Sequence, residues 1–383
     1  MIYFILFSFA LLGSMCLSYE GVRNNYSELK YNKFVVASFI MMLFFIGFRV
    51  NVGIDYINYL NSYKYISIYD FGAGSQHQIE YGYWFIISIL RALGSDGHAQ
   101  FLIFALLTLI PFFNLFKDYP RLLPWGIFFF YVCLPYDFII NGIRQGVSIF
   151  AVLCALRHLE AIPKSFKDIA YYVFWIIYGS LFHTTCLAFL VIPLIIKYIP
   201  IRRMVLLVVA ISGFIINLMG LAELLIPTDL AMFGEQYSTM VENLADYNEI
   251  STLAIRPIVI VQVIFYLIPL FYSDYIIEKY PKIRYYFLFL SLGMFLNYLA
   301  PSNLFLRRIS YYFLFSEVLV YPSLIEYVKT LNMKPNIHKS EKYINLMKLF
   351  IILWSCVNFI FSLKSFSDLQ IWPNASVLGI SIN

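Results

Sequence analysis

Long apolar runs alternate with short polar breaks along the chain. A helix needs about 20 apolar residues, and at least about 17, to cross a hydrocarbon core about 30 Å thick. Many of the runs approach this length. The pattern therefore predicts an all-α polytopic membrane protein with about 12 transmembrane helices, within a range of about 11 to 13. The predicted spans are 1–19, 34–48, 99–116, 122–138, 142–156, 169–182, 184–197, 204–219, 253–272, 285–300, 309–325 and 343–361.

Two segments do not fit a plain bundle of spans. The apolar run at 81–93 is too short to cross a bilayer, and a crossing there would invert the charge distribution of the following loops. We expect a short re-entrant or interfacial helix near 81–93, within an outward loop at 49–98. Residues 220–252 contain acidic residues but no Lys or Arg and are predicted to form an acidic outward loop or cap. The whole of 1–383 is interpreted as a single transmembrane domain.

Basic residues are unevenly divided between the two sides of the predicted spans. One set of loops carries 18 of the 27 Lys and Arg residues, and the opposite set carries 8. Because cytoplasmic loops are enriched in Lys and Arg, the richer set is assigned to the cytoplasm. Six of the 8 outward residues are Arg. Arginine offers a planar, permanently charged fork that suits phosphate and carboxylate groups.

The composition excludes a soluble globular protein. The chain is 61% hydrophobic and 13% charged, whereas soluble domains carry about 25% charged residues. Its five cysteines lie in apolar runs without metal-ligand spacing. Motifs for phosphate-cradling loops, zinc proteases and nucleophile elbows do not occur. We therefore predict no metal, no cofactor and no nucleic acid partner.

Five short polar clusters interrupt the apolar pattern on the predicted outward face. Polar groups at membrane depth are costly, and they usually face a cavity or a partner. The clusters are FRVNVGIDYINY at 48–59, IEYGY at 79–83, NGIRQG at 141–146, SLFH at 180–183 and LRRISYY at 306–312. Their position beside predicted spans indicates a site for a polar substrate at the membrane surface.

Arg144 is the strongest candidate for binding an anion. The residues that follow it, 146–156, are almost wholly apolar, so its guanidinium must find an anion or water close by. A structural ion pair with Asp55, Asp137 or Glu80 is the alternative. The other candidate anion ligands are Arg49, Arg256, Arg307 and Arg308. For each of these the alternative is a side chain that only extends to the membrane surface.

Asp55, Glu80 and His183 are the candidate catalytic bases. A carboxylate that is partly desolvated beside an apolar helix can serve as a general base, because desolvation strengthens its hold on a proton. Each carboxylate could instead orient an arginine, and His183 could be a buried histidine with satisfied hydrogen bonds. The remaining candidate substrate-binding residues are Tyr56, Tyr59, Tyr83, Asn141, Gln145 and Tyr311.

Taken in order along the chain, the five clusters resemble those of the EpsG-type Wzy polymerases of surface polysaccharides such as O-antigen, exopolysaccharide and capsule. The resemblance extends over residues 34–330 and is strongest from Arg49 to His183. It implies a GT-C-like membrane glycosyltransferase in the bacterial inner (cytoplasmic) membrane, with its active face outward. It also implies undecaprenyl-diphosphate-linked oligosaccharide as both donor and acceptor. Membrane lipid and a chain-length regulator, the polysaccharide co-polymerase, are the other implied partners.

The reaction implied by this resemblance moves the growing glycan from its lipid diphosphate to a sugar hydroxyl of a new lipid-linked repeat unit. The arginines named above would stabilise the charge on the diphosphate without a metal, and one of the three candidate bases would accept the hydroxyl proton. Three alternatives stay open. They are a ligase that moves the finished glycan to a different acceptor, a transporter or flippase of the lipid-linked sugar, and a structural partner of a polysaccharide complex.

Overall fold

The structure of the chain is a computed structural model that describes residues 2–24, 32–66, 80–159, 165–196, 198–221, 257–299, 303–332 and 348–357. Within these residues all regular secondary structure is helical, which confirms the predicted all-α class. The chain divides into two compact units, one comprising Met1–Tyr198 and Tyr321–Asn383 and the other Ile199–Val320.

Helices of very different length form the N-terminal part of the first unit. They are α1 (Ile2–Asn24), α2 (Lys33–Gly47), α3 (Tyr56–Tyr65), α4 (Tyr81–Ala92), α5 (Ala99–Leu115), α6 (Leu123–Val132), α7 (Leu134–Asn141), α8 (Ile143–Arg157), α9 (Phe166–Ser180) and α10 (Ile192–Ile196). Two 3-10 helices, Pro120–Leu122 and Thr184–Val191, directly precede α6 and α10.

The first unit is built around α8. Its residues from Gly146 to Leu156 are all buried, as expected for a helix that is apolar all round. Helices α5, α7 and α9 pack against it, and Phe150 of α8 lies edge-on to Phe112 of α5 with ring centroids 5.6 Å apart. This packing fixes the direction of α8 and therefore the place of its N-terminal end, where Arg144 lies.

The second unit contains the remaining long helices up to Val320. They are α11 (Arg203–Leu218), α12 (Pro257–Phe271), α13 (Ser273–Lys279), α14 (Arg284–Leu299) and α15 (Leu304–Leu314). Helices α11 and α14 are joined by two side-chain hydrogen bonds to main-chain carbonyls, Ser291 Oγ to Leu206 O at 2.6 Å and Asn217 Nδ2 to Leu299 O at 2.9 Å. Helix α16 (Glu317–Asn332) crosses the division between the units, and α17 (Lys348–Val357) belongs to the first.

Helix lengths bear on the predicted number of spans. Among the described residues, the helix over Ile5–Arg23 is long and apolar enough to cross a membrane by itself. Two bent pairs meet the same test only when each pair is taken together. The bend is 57° between Pro120–Val132 and Leu134–Asn141, and 46° between Val259–Phe271 and Ser273–Lys279. The number of about 12 spans therefore stays a prediction.

The predicted span at 122–138 is not one straight helix. Cys133 has an extended backbone, with φ −108° and ψ −168°, and separates α6 from α7. Pro135 lies in the first turn of α7, where its missing N–H is no loss, whereas within a continuous helix it would remove one main-chain hydrogen bond. The predicted span at 309–325 is likewise divided, at residues 315–316.

The short helix expected near 81–93 is confirmed as α4, which covers Tyr81–Ala92. Its interfacial or re-entrant placement, the outward position of 49–98 and the organisation as one transmembrane domain stay predictions. Residues 222–252 of the predicted acidic cap lie outside the described part of the chain.

Candidate functional site

Arg144 forms an ion pair with Glu80 in the first unit. Its Nη1 donates to Glu80 Oε2, so of the three carboxylates considered as partners Glu80 is the one in contact. Arg144 is the second residue of α8 and Glu80 directly precedes α4. The side chains of Arg144 and Glu80 are 32% and 12% exposed. Arg144 is therefore partly open to solvent.

Two tyrosines enclose the guanidinium of Arg144. Its Cζ lies 5.2 Å from the ring centroid of Tyr83, and its charge also acts on the Tyr59 hydroxyl. The two tyrosine rings meet edge to face with centroids 6.2 Å apart. Burial raises the pKa of both Tyr59 and Tyr83 above the ordinary value for tyrosine. Both hydroxyls are therefore protonated and uncharged near neutral pH.

Arg144, Glu80, Tyr59, Tyr83 and Gln100 are called the Arg144 cluster below. Gln100 is the member that is not predicted from the sequence. It is fully buried, and its Oε1 accepts a hydrogen bond from the Tyr83 hydroxyl at 3.0 Å. Its Nε2 donates to Gly97 O at 2.8 Å and to Tyr59 O at 3.2 Å. One amide thus holds both tyrosines around Arg144. The available signal was an amide at the head of a largely apolar helix, where a buried polar group needs partners.

Arg49 lies in the core rather than at an open surface. It is 6% exposed, and its Nη1, Nε and Nη2 donate to main-chain oxygens of Ile46, Val52 and Ile140 at 3.0, 3.3 and 3.1 Å. Its Cζ also lies 4.6 Å from the ring centroid of Phe101. Diphosphate binding by Arg49 stays a prediction, and it would require these main-chain bonds to be broken.

Tyr56 and Asp55 lie at the start of α3. Tyr56 is buried, stacks on Phe101 with centroids 4.6 Å apart, and shares a hydrogen bond of 2.7 Å with His98 Nδ1. His98 was not singled out by the sequence analysis. Asp55 is partly exposed and accepts a hydrogen bond from Asn58 Nδ2 at 3.1 Å. Its charge also acts on the Tyr59 hydroxyl of the Arg144 cluster.

His183 follows a chain segment that contacts the start of α4. Gly82 N donates to Leu181 O at 2.7 Å, which joins the IEYGY and SLFH clusters. His183 itself is half-buried, and its Nδ1 shares a hydrogen bond of 2.7 Å with Thr185 Oγ1. Phe182 packs with Tyr83 in one buried apolar cluster. The structure therefore brings the second, third and fourth sequence clusters into one region of the first unit.

Asn141 and Gln145 flank the start of α8. Asn141 Oδ1 accepts from Ile54 N at 2.6 Å, and its Nδ2 donates to Asp137 O at 2.9 Å. Gln145 is buried, at 6% exposure. Both side chains thus lie next to the turn that carries Arg144. A direct contact of either side chain with substrate stays a prediction.

The remaining predicted site residues are Arg256, Arg307, Arg308 and Tyr311. Arg307 and Arg308 are exposed on α15 in the second unit, and Arg307 Nε donates to Tyr311 Oη at 3.0 Å. Arg256 lies outside the described residues. Within the described part of the chain, His, Cys, Asp and Glu residues form no group of three or more that could hold a metal ion.

The residues around Arg144 can bind an anion together with a polar group next to it. Arg144 lies in the first turn of α8, where the positive end of the helix dipole favours negative charge. A carboxylate and two neutral phenols surround the same guanidinium. The site can therefore stabilise a leaving anion and hold a proton acceptor within one cluster.

A model of the EpsG family matches residues 32–376. No curated protein and no solved structure matches the chain significantly. The family match covers most of the chain and includes every residue of the Arg144 cluster. The chain thus belongs to the EpsG family, and it is accordingly a membrane protein of polysaccharide biosynthesis with a polymerase-type glycosyltransferase function acting on lipid-linked saccharides.

Proposed function

We propose that the chain polymerises undecaprenyl-diphosphate-linked repeat units on the outer face of the bacterial cytoplasmic membrane. The growing glycan would be transferred from its lipid diphosphate to a sugar hydroxyl of the next lipid-linked unit. The observation that carries this proposal is the partly exposed Arg144–Glu80 ion pair at the start of a buried helix. Family membership supplies the reaction class.

The proposed reaction is a single displacement. The bond between the anomeric carbon of the donor glycan and the diphosphate oxygen breaks, and a bond from that carbon to the acceptor oxygen forms. The electron pair of the broken bond stays on the diphosphate, and the acceptor proton passes to an enzyme base. Arg144 stabilises the new charge on the diphosphate, a contribution that for one oxyanion donor is worth about 10²- to 10³-fold in kcat.

Glu80 is the base that the geometry favours among the three candidates. In the free protein it neutralises Arg144. When a diphosphate takes its place, the carboxylate is released beside the reacting centre and can accept a proton. Asp55 is partly exposed at the start of α3, and His183 is hydrogen-bonded to Thr185. Both remain alternative bases, to be compared with Glu80 by substitution.

Further contacts with the diphosphate and sugars are proposed for seven of the other candidate residues. These are Arg256, Arg307, Arg308 and Tyr311 outside the Arg144 cluster, and Tyr59, Tyr83 and Gln145 within or beside it. A chain-length regulator is the proposed protein partner, and no metal is proposed for the reaction.

The test uses purified protein in lipid nanodiscs with lipid-linked repeat units and no other protein. We expect lipid-linked products of increasing length, measured by mass spectrometry. Arg144→Ala should abolish most of this lengthening. Arg203→Ala is the matched control, because Arg203 is 33% exposed and paired with Asp274 in the second unit. Transfer only to a different acceptor would indicate a ligase, and movement of the lipid without lengthening would indicate a flippase.

A further inference from the structure

We infer that Arg49, Gly53 and Asn141 hold the loop at 49–55 against the end of α7 and thereby position Arg144. The inference rests on the function proposed for Arg144. It assigns Arg49 to positioning, whereas its place at a predicted membrane exit had indicated a phosphate ligand. Residues 49–55 are called the docked loop below.

Arg49 binds the C-terminal ends of two helices at once. Ile46 is the second-last residue of α2 and Ile140 is the second-last residue of α7, and the oxygens of both accept from the guanidinium at 3.0 and 3.1 Å. The last carbonyls of a helix have no partner within it, and they form the negative end of its dipole. The third bond, to Val52 O at 3.3 Å, fixes the docked loop itself. The guanidinium of Arg49 thus binds main-chain oxygens of the protein itself.

Gly53 brings the docked loop into contact with the end of α7. Its φ is +104°, which favours glycine, and a Cβ placed there would lie 2.6 Å from Ile140 O and 3.0 Å from Asn141 Oδ1. Next to it, Ile54 N donates to Asn141 Oδ1 at 2.6 Å. The same main-chain segment of α7 is therefore bound from two sides, by Arg49 and by the residues around Gly53.

This contact determines where Arg144 and Tyr59 meet. Asn141 is followed by Gly142, at which α7 ends and α8 begins, and Gly146 N donates to Gly142 O at 2.8 Å in the first turn of α8. Arg144 belongs to that turn. The docked loop continues into α3, which carries Tyr59, so one loop sets the distance between Arg144 and the Tyr59 hydroxyl, on which its charge acts. A misplacement of about 1 Å in such a cluster can cost about 10²-fold in rate.

The first experiment compares polymerisation rates of Arg49→Ala, Gly53→Ala and Asn141→Ala. Each should lower kcat by about 10- to 100-fold. Gly220→Ala is the matched control, because Gly220 also has a positive φ, +68°, but an added Cβ would meet nothing within 4 Å. If Arg49 acts only through Arg144, the double variant Arg49→Ala/Arg144→Ala is no slower than Arg144→Ala. A further loss in the double variant, with a normal rate for Gly53→Ala, would overturn the inference in favour of a ligand role.

The second experiment does not depend on activity. Hydrogen–deuterium exchange of the folded protein in nanodiscs should rise in both 49–55 and 140–146 for Arg49→Ala. It should rise in the same two segments for Asn141→Ala, which removes two hydrogen bonds but no charge. Arg144→Ala should leave 49–55 protected. Unchanged exchange at 140–146 in the first two variants overturns the positioning role. Coupled exchange in a protein that does not polymerise would leave positioning intact and refute the proposed function instead.

Discussion

Removing Arg144 and Glu80 separately and together should separate the catalytic role of the pair from its structural role. Arg144→Ala leaves the Glu80 carboxylate, which is 12% exposed, without the cation it contacts. Exposed pairs contribute about 0 to 1 kcal/mol, and breaking a buried pair costs about 3 to 5 kcal/mol. Because Arg144 is 32% exposed, we expect an intermediate loss of stability of about 1 to 2 kcal/mol.

The catalytic loss should be larger and should not follow stability. If Arg144 stabilises the leaving diphosphate, its removal costs about 2.7 to 4 kcal/mol of the barrier, or about 10²- to 10³-fold in kcat. In Arg144→Ala/Glu80→Gln the unpaired carboxylate is gone, so the thermal midpoint should return most of the way to that of the wild type. The rate of polymerisation should stay low.

The assay measures both quantities on the same nanodisc preparations, by thermal unfolding and by the length distribution of lipid-linked products under single-turnover conditions. Arg203→Ala controls for the loss of a similarly exposed arginine from an ion pair. If activity returned together with stability in the double variant, Arg144 would be a structural residue and the reasoning would be refuted. A rate within tenfold of wild type for Arg144→Ala would lead to the same conclusion.

Glu80→Gln alone tests the base. The amide can still accept the hydrogen bond from Arg144, but it cannot take up a proton, and it no longer neutralises the guanidinium. We therefore expect kcat to fall while inhibition by inorganic pyrophosphate becomes stronger. A normal kcat would remove Glu80 as the proton acceptor and direct the search to Asp55→Asn and His183→Ala.

Three further predictions concern the surroundings of Arg144. Gln100→Leu leaves the Tyr83 hydroxyl and the Gly97 carbonyl without their partner and should lower the unfolding free energy by about 1 to 3 kcal/mol in a denaturation measurement. Gly82→Ala would place a Cβ 2.7 Å from Leu181 O, so activity should fall and exchange should rise around 181–183. Burial raises the pKa of Tyr83 above 10.0, so its contribution to stability should be complete below pH 10 and disappear as pH rises through the higher value. Tyr83→Phe should reduce this alkaline loss in a thermal scan.

The sequence predicted those parts of the site that side-chain type alone can indicate. Arg144 was identified because apolar residues follow it, and Glu80 because it is a carboxylate just before a short helix. The joining of their clusters was not predictable, since it depends on the bond from Gly82 N to Leu181 O. Main-chain groups carry no mark in the sequence. The break at Cys133 was missed for a related reason, because one proline in an apolar run is compatible with either a kinked span or two helices.

Gln100 and Arg49 show what residue type alone leaves out. Gln100 was overlooked because one amide in an apolar run looks incidental, yet it holds Tyr83 and Tyr59. Arg49 was placed among the phosphate ligands because of its charge and position. Its three acceptors are main-chain oxygens, one of them 91 positions away in the chain. Reasoning from residue type recognised the cation but could not recognise carbonyl acceptors.

The partners of the two arginines are the reason that we propose a catalytic role for Arg144 and a positioning role for Arg49. Carbonyls at the ends of α2 and α7 are fixed by their helices, and without Arg49 they would be left unpaired in a buried region. If Arg49 bound a substrate anion instead, its main-chain hydrogen bonds would be lost and the buried carbonyls would be left without this partner. Glu80 is a side chain that can rotate away from Arg144, and a diphosphate offers the same guanidinium a stronger anion than one carboxylate. Under the proposed function, the arginine that holds a carboxylate is the one that would release it during the reaction, and the arginine that holds main-chain oxygens would keep the first in place.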